Sequence, residues 1–165
     1  MGLIYNSKVL TDKECSDIKK CILEKEAEVK SLGPDKYVGT SDDSLTGRYS
    51  VFNWLYTNVG NIVLPKLRKV FKELNFKFPI SIQCWANTFR NGEGIDNHQH
   101  SNTDKFISGN IFISGCESIG TWYEDEKFEN EIGSLTLFTS GMFHYVSKNS
   151  SDEIRISLGI DVYPE

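Results

Sequence analysis

Several features that mark specialised classes of protein are missing from this sequence. No run of eighteen apolar residues occurs, and the segment 1–14 lacks a basic stretch followed by an apolar one, so we expect neither a membrane span nor a signal peptide. The 4 cysteines form no Cys-x-x-Cys pair, which argues against a zinc site built on them. The net charge is −5 and basic residues are scattered, which argues against binding of duplex nucleic acid. We therefore expect a cytoplasmic protein with reduced thiols.

The first half of the chain carries helical patterns. A length of 165 residues fits a single domain, in which 1–75 would be a helical support and 76–165 the β core. A capping-box pattern at 11–14 precedes apolar residues at helical spacing, and Gly33-Pro34 ends that pattern. The polar stretch 35–49 is typical of a loop. A second helical pattern covers 53–74, where Gly60 and Pro65 predict a bend or a break.

The second half carries a period of two, which is typical of strands. We predict strands at 79–89, 105–114, 120–124, 133–139 and 154–163. Short, evenly spaced strands without helices between them favour an antiparallel sandwich or jelly roll over a parallel sheet. The sequence thus predicts a mainly β fold, a cupin-like double-stranded β-helix, with the N-terminal helices packed on one of its sheets.

The last predicted strand has two chemically different faces. Apolar residues occupy the even positions of 154–162, and Arg155 and Ser157 share the opposite face. If the apolar face packs on the helices, Arg155 points into the barrel, where it needs an anionic partner because a buried unpaired charge is costly. That partner is either a ligand or a structural carboxylate, for which Glu153 and Asp161 are candidates.

All 3 histidines lie in the strand-rich half. His98 and His100 are two positions apart, so in an extended chain both rings point to one side and could share a metal. A hairpin centred between residues 149 and 150 would place His144 opposite Arg155, with side chains about 5 Å apart. An isolated His-x-His pair occurs by chance as often as it binds a metal. It is the combination with a distal histidine and an inward Arg-x-Ser that predicts a site.

This combination suits non-haem iron(II), which takes three protein ligands on one face and leaves positions open for a 2-oxo acid and oxygen. A dicarboxylic 2-oxo acid has a second carboxylate that needs a cation and a hydroxyl deeper in the barrel. Arg155 and Ser157 would supply both, since a guanidinium binds a carboxylate through two parallel bonds.

The chain resembles the iron(II)/2-oxoglutarate-dependent dioxygenases, above all a group of oxygenases from phages and marine bacteria. The resemblance covers about 83–163 and rests on a series of short motifs: His98-Gln99-His100, Ser108-Gly109, Gly133-Ser134-Leu135-Thr136-Leu137-Phe138, His144, Asn149-Ser150-Ser151 and Arg155-Ile156-Ser157. It implies a jelly roll that hydroxylates its substrate with oxygen and 2-oxoglutarate at iron(II).

The resemblance also implies roles for particular residues. His98, His100 and His144 would hold the metal, and Arg155 and Ser157 the distal carboxylate of 2-oxoglutarate. Asn110 lies in the strand where the family often places a side chain that binds this co-substrate. Asn87, on the 79–89 strand, is a further candidate for binding the co-substrate. Trp85 shares its face and either lines the pocket or belongs to the core. Trp122 and Tyr123 either border the substrate mouth or are ordinary packing.

One position departs from the wider family, which usually has a carboxylate where this chain has His100. Asp96 and Asp104 lie nearby and are alternative ligands, although their spacing from His98 favours His100. Three neutral imidazoles would leave the iron more positive than two imidazoles and a carboxylate. This departure favours an alternative function, a three-histidine cupin-type dioxygenase, such as a thiol dioxygenase, that uses no 2-oxo acid.

A second alternative is a non-catalytic jelly-roll module, such as a phage structural protein or a carbohydrate-binding protein. For an enzyme, we expect a small-molecule or peptidyl substrate, with peptidyl proline as the leading candidate from the resemblance alone. A nucleobase substrate stays open. We expect no membrane partner, and the compartment would be the host cytoplasm if the chain is a phage protein. The sequence does not indicate an oligomeric state.

Overall fold

The structure is a computed structural model that describes residues 3–32 and 59–164. The predictions for the 35–49 loop, for Gly33-Pro34 as a helix end and for the start of the second helix lie outside the described residues. Two helices are described, α1 (Asp12–Ser31) and α2 (Gly60–Glu73). Neither is long and apolar enough to cross a membrane.

The described chain contains nine strands, and all their pairings are antiparallel. A five-stranded main sheet has the order β1-β7-β4-β9-β2, and a four-stranded small sheet has the order β3-β8-β5-β6. The prediction of a mainly β, antiparallel fold is confirmed. The strand bounds are β1 (Leu3–Lys8), β2 (Ile80–Phe89), β3 (Ile95–His98), β4 (Ile107–Ser114), β5 (Thr121–Tyr123), β6 (Glu126–Phe128), β7 (Ser134–Thr139), β8 (His144–Val146) and β9 (Arg155–Pro164).

The N-terminal cap of α1 forms as the sequence predicts. Thr11 Oγ1 accepts a hydrogen bond from the Glu14 amide at 3.2 Å, and Glu14 Oε2 accepts one from the Thr11 amide at 2.8 Å. Both bonds satisfy amides that the first helical turn leaves without partners. α2 starts at Gly60 and continues through Pro65, so the break expected at Pro65 does not occur. A proline near the start of a helix removes few helical hydrogen bonds.

The first half of the chain is not entirely helical. Leu3–Lys8 forms β1, which pairs with β7 at the edge of the main sheet. The strands predicted from the sequence also do not include β3, β6 and β8. These strands have three or four residues each, too few for an alternating pattern to be recognised.

The main hydrophobic core lies between the two helices and the outer face of the main sheet. Buried residues of α1 recur at helical spacing, and those of α2 do the same. They pack in one cluster with Ile156, Leu158, Ile160 and Val162 of β9. The expected packing of the helices on one sheet, against the apolar face of the last strand, is therefore confirmed.

A buried ion pair joins α1 to the end of β2. Glu26 lies within the buried stripe of α1 and accepts two hydrogen bonds from the Arg90 guanidinium, at 2.8 and 2.7 Å. Lys30 also contacts Glu26, at 2.9 Å. These cations, Arg90 foremost, lower the pKa of Glu26 to about 2.

The connection between β8 and β9 corrects one prediction. These strands were expected to form a hairpin, but β8 belongs to the small sheet and β9 to the main sheet, so His144 does not lie opposite Arg155. The chain instead crosses from one sheet to the other. Asn149 holds this crossover, because its buried amide group donates to the carbonyls of Phe89 at 2.9 Å and Glu153 at 2.8 Å.

Candidate metal centre and adjoining cavity

Three neighbouring strands of the main sheet present their inner faces to a cavity between the sheets. Strand register places inward-facing side chains in rows across β2, β9 and β4, because alternate residues share a face. From one end of the strands to the other, the rows are Phe89 and Arg155; Asn87, Ser157 and Phe112; Trp85, Gly159 and Asn110; and Gln83, Asp161 and Ser108. Arg155 and Asp161 are therefore at opposite ends of the inner face of β9.

The small sheet contributes two histidines to the same cavity. His98 of β3 and His144 of β8 are direct cross-strand partners, and His144 is also opposite Tyr123 of β5. The ring centroids of His98 and His144 are 4.3 Å apart. The antiparallel pairing of these short strands thus brings together residues that are far apart in sequence.

His100 lies just beyond β3 and turns towards the main sheet. Its amide donates to the Ser140 carbonyl at 3.1 Å, which anchors this segment to the loop after β7. Its ring centroid is 5.4 Å from that of His98 and 5.0 Å from that of His144. One potential ligand atom from each histidine lies within 4.8 Å of the others, so the three could hold a metal ion.

In each of the three rings, a hydrogen bond occupies Nδ1. His98 Nδ1 bonds the Asp96 carbonyl at 2.8 Å and His144 Nδ1 bonds the Met142 carbonyl at 3.0 Å. His100 Nδ1 bonds the Asp161 carboxylate at 2.7 Å. Since these acceptors require Nδ1 to carry the proton, Nε2 is left with a lone pair in each ring.

Burial keeps two of the imidazoles neutral. It lowers the pKa of His98, and together with the other two histidines it lowers the pKa of His144 to about 3. A neutral imidazole is the form that binds a metal. His98 and His144 are therefore ready to bind a cation near neutral pH.

The guanidinium of Arg155 is fully buried and only partly hydrogen bonded. Its Nη2 donates to Thr121 Oγ1 at 3.0 Å, and the Asn130 side-chain oxygen, oriented towards it, accepts at 3.2 Å. Phe89 and Phe112 flank the cation, 5.5 and 5.2 Å from their ring centroids. Burial lowers the pKa of Arg155 to about 10, which leaves it charged at neutral pH.

The other nitrogens of this guanidinium, Nε and Nη1, have no hydrogen-bond partner among the described residues. The same is true of the buried Tyr123 hydroxyl and Asn87 Oδ1, both of which line the cavity. No carboxylate of the described chain pairs with Arg155, and the expected alternative partner Asp161 bonds His100 instead. An anionic ligand would accept hydrogen bonds from these unsatisfied donors and balance the buried charge of the guanidinium.

The structure brings most of the sequence-predicted site residues to one cavity. Its lining includes His98, His100, His144, Ser157, Asn110, Asn87, Trp85 and Tyr123. The carboxylates considered as alternative ligands are not in the histidine cluster: Asp96 is exposed, and Asp104 accepts a hydrogen bond from the Gly141 amide at 3.1 Å. The roles of all these residues remain predictions.

Two contributors to this site were not predicted from the sequence. Thr121 is the hydrogen-bond partner of Arg155, and Asp161 is the partner of His100. The alternation in β9 does predict Asp161 on the same face as Arg155, and only its partner was not predicted. Its contact with His100 depends on a loop whose path the sequence does not indicate.

No family model matches the chain, and no curated protein matches it in sequence. Solved structures do match in fold, and the three described below share 14% sequence identity with this chain. A non-haem monooxygenase, the ThoJ nickel complex, has a TM-score of 0.72 at 14% identity over 98% of this chain and 73% of that one. The viral collagen prolyl hydroxylase of Paramecium bursaria Chlorella virus-1, in complex with 2-oxoglutarate, has a TM-score of 0.67 at 14% identity, covering 98% and 97%.

A prolyl-4-hydroxylase from Pseudomonas putida also matches, with a TM-score of 0.60 at 14% identity over 98% of this chain and 87% of that one. The fold is therefore that of non-haem monooxygenases and prolyl hydroxylases. At this level of identity the likeness concerns the fold alone, and the chemistry has to be argued from the site.

Proposed function

We propose that this protein is an iron(II)- and 2-oxoglutarate-dependent oxygenase. The observation that carries the proposal is that a cavity lined by three histidines adjoins a buried arginine with unpaired donors. Arg155 itself lies just behind the lining, because Thr121, which accepts its hydrogen bond, and Phe89, which flanks it, both line the cavity. The first group suits a metal and the second suits a carboxylate. A small dicarboxylic acid bound to both would also use Nε and Nη1 of Arg155, which have no hydrogen-bond partner among the described residues.

The strand order supports the jelly-roll part of the proposal. From β2 to β9 the chain passes from one sheet to the other at every connection except the β5–β6 hairpin. This winding interleaves strands from the two ends of the β region, as a double-stranded β-helix requires. Such a barrel buries residues on the inner faces of both sheets, where a metal and a co-substrate are shielded from water.

Each part of the cavity would have its own task. His98, His100 and His144 would hold iron(II) through Nε2, and Arg155 would bind the distal carboxylate through Nε and Nη1. Iron bound there would supply the reduction of oxygen coupled to decarboxylation of 2-oxoglutarate and oxidation of the substrate.

The other polar side chains of the cavity would orient the co-substrate. The Tyr123 hydroxyl is a donor without a hydrogen-bond partner among the described residues, and burial raises its pKa, so it remains protonated. Ser157, Asn110 and Asn87 lie on the inner face of the main sheet, in the rows between those of Arg155 and Asp161, and all three line the cavity. We assign them to the co-substrate as well.

Metal-dependent binding of 2-oxoglutarate tests the proposal directly. Isothermal titration of the Mn(II)-loaded protein is expected to show binding of 2-oxoglutarate that disappears without metal and in His144→Ala. Asp104→Asn is the matched control, since this carboxylate lies outside the histidine cluster. Absence of binding to the metal-loaded wild type would refute the proposal.

The substrate is the least defined part of the proposal. Two of the structural neighbours are prolyl hydroxylases, so peptidyl proline is the first substrate class to test. Succinate release from 2-oxoglutarate with Fe(II), stimulated by a proline-rich peptide, would support it. Release stimulated instead by a small metabolite or a nucleobase would reassign the substrate class.

The ligand set itself favours a second candidate. No carboxylate joins the histidine cluster in the described part of the chain, as a three-histidine dioxygenase without a 2-oxo acid would require. Oxygen uptake with a thiol substrate and without 2-oxoglutarate would favour this reading. Failure of the reconstituted protein to retain iron, manganese or nickel would instead favour a non-catalytic module.

A further inference from the structure

Asp161 is a buried carboxylate that contacts the histidine cluster without belonging to it. It lies on the inner face of β9, directly opposite Ser108 of β4. Its Oδ1 accepts from Ser108 Oγ at 2.7 Å and from His100 Nδ1 at 2.7 Å. Its side chain is 9% exposed, so the carboxylate exerts its charge in a partly dehydrated environment where charge interactions are strong.

The three histidines are not equivalent in their outer contacts. His98 and His144 donate to neutral backbone carbonyls, whereas His100 donates to a carboxylate. A carboxylate on the far nitrogen of an imidazole fixes its orientation and makes the near nitrogen a stronger donor to a metal. His100 is also the ligand without strand pairing, because it follows the end of β3.

The charge balance leads to the same residue. Three neutral imidazoles leave the full charge of a divalent cation uncompensated, and burying such a charge is costly. One negative charge next to His100 would lower the net charge of the metal centre by one unit, as a carboxylate ligand bound directly to the metal would. Asp161 is the side chain in that position.

We propose that Asp161 is the positioning residue of the three-histidine centre. It holds His100 through Nδ1 and supplies, through that ring, the negative charge that the ligand set lacks. This inference rests on the proposed function only in requiring a metal at the histidines; it does not require 2-oxoglutarate. The competing explanation is that Asp161 serves only as a structural partner of Ser108 and Tyr163, whose hydroxyl is 3.5 Å away.

Cobalt(II) binding to the full chain separates the two explanations. The affinity is measured by competition with a chromophoric chelator, and the visible spectrum of bound cobalt reports the ligand geometry. Asp161→Asn retains an oxygen that can accept from His100 but removes the charge, so we expect about tenfold weaker binding with a similar spectrum. Asp161→Ala removes the charge and the carboxylate oxygen and leaves only the neutral Ser108 hydroxyl, whose Oγ is 3.0 Å from His100 Nδ1, so we expect about 100-fold weaker binding and a changed spectrum.

Glu26→Gln is the matched control. It also replaces a buried carboxylate with an amide, but it does so in the ion pair with Arg90 on α1, outside the cavity. We expect it to bind cobalt as the wild type does. Asp161→Glu is expected to bind more tightly than Asp161→Ala, because it restores the charge near His100.

The results that would overturn the inference are distinct. If Asp161→Asn is folded and binds cobalt with wild-type affinity, Asp161 is a structural residue only. If Glu26→Gln weakens cobalt binding as much as Asp161→Asn does, the effect is one of general stability. Wild type that binds no cobalt would overturn this inference and the proposed function together, whereas cobalt binding without 2-oxoglutarate binding would overturn only the latter.

Discussion

Replacement of Arg155 by methionine is expected to have opposite effects on ligand binding and on stability. The guanidinium is fully buried, and its Nε and Nη1 have no partner among the residues described. If they bind the distal carboxylate of 2-oxoglutarate, the variant loses two charge-assisted hydrogen bonds of about 1.5–3 kcal/mol each. The loss of about 3–6 kcal/mol corresponds to roughly 100-fold to 10,000-fold weaker binding.

The ligand-free protein should not suffer from the same change. Methionine fills a similar volume between Phe89 and Phe112 and removes a buried cation that no carboxylate pairs with. Such replacements are neutral or stabilising, so we expect the free energy of unfolding to stay constant or rise by about 1–2 kcal/mol. Arg155→Lys keeps the charge but lacks the two parallel donors of a guanidinium. Its affinity for 2-oxoglutarate should therefore lie between those of the wild type and Arg155→Met.

Both quantities can be measured on the same preparations. Isothermal titration of the Mn(II)-loaded protein gives the affinity for 2-oxoglutarate, and urea unfolding without ligand gives the stability. Arg90→Met is the control, because Arg90 forms an ion pair with Glu26. We expect this variant to lose stability and to keep its affinity for 2-oxoglutarate. An affinity of Arg155→Met within threefold of the wild type would refute the assigned role, and so would a loss of stability without a loss of affinity.

Three further changes test other parts of the structure. Tyr123→Phe removes a buried hydroxyl that has no hydrogen-bond partner among the described residues. Urea unfolding should therefore show equal or greater stability, while calorimetry should show about tenfold weaker binding of 2-oxoglutarate. Glu26→Gln should lower the free energy of unfolding by about 2 kcal/mol at pH 7. Because Arg90 lowers the pKa of Glu26 in the folded state to about 2, this loss should be complete above about pH 5 and vanish as the pH falls towards 2. Urea unfolding midpoints measured across that pH range check this. Gly159→Ala would place a methyl group 2.4 Å from the Trp85 ring. We therefore expect the free energy of unfolding to fall by about 1–3 kcal/mol and 2-oxoglutarate to bind more weakly. An unchanged calorimetric affinity would show that the ring moves away from the cavity.

Sequence patterns predicted those helices and strands that their own residues specify, without reference to distant partners. The capping box of α1 needs only Thr11 and Glu14, which are three positions apart. The long strands β2 and β9 have enough residues for an alternating pattern to appear, and that alternation placed Arg155 and Ser157 on the inner face. A residue's face depends on its position in its own strand, which is a local property.

The errors concern the elements that depend on distant partners. β1 owes its conformation to pairing with β7, more than a hundred residues later in the chain. β3 and β8 are too short to show a period, and they form because they pair with each other and bring His98 opposite His144. The expected β8–β9 hairpin was wrong because a short turn-like segment does not reveal whether the next strand joins the same sheet or crosses to the other.

The candidate site divides in the same way. The sequence alone determined which residue types were available for a metal and a carboxylate, and the strand parity that turns Arg155, Ser157 and Asp161 inward. Only the tertiary structure decided that Asp161 meets His100 rather than Arg155, and that Arg155 keeps unpaired donors in a buried position. Parity follows from the chirality and pleat of one strand, whereas a contact between side chains of different sheets follows from how the whole barrel closes.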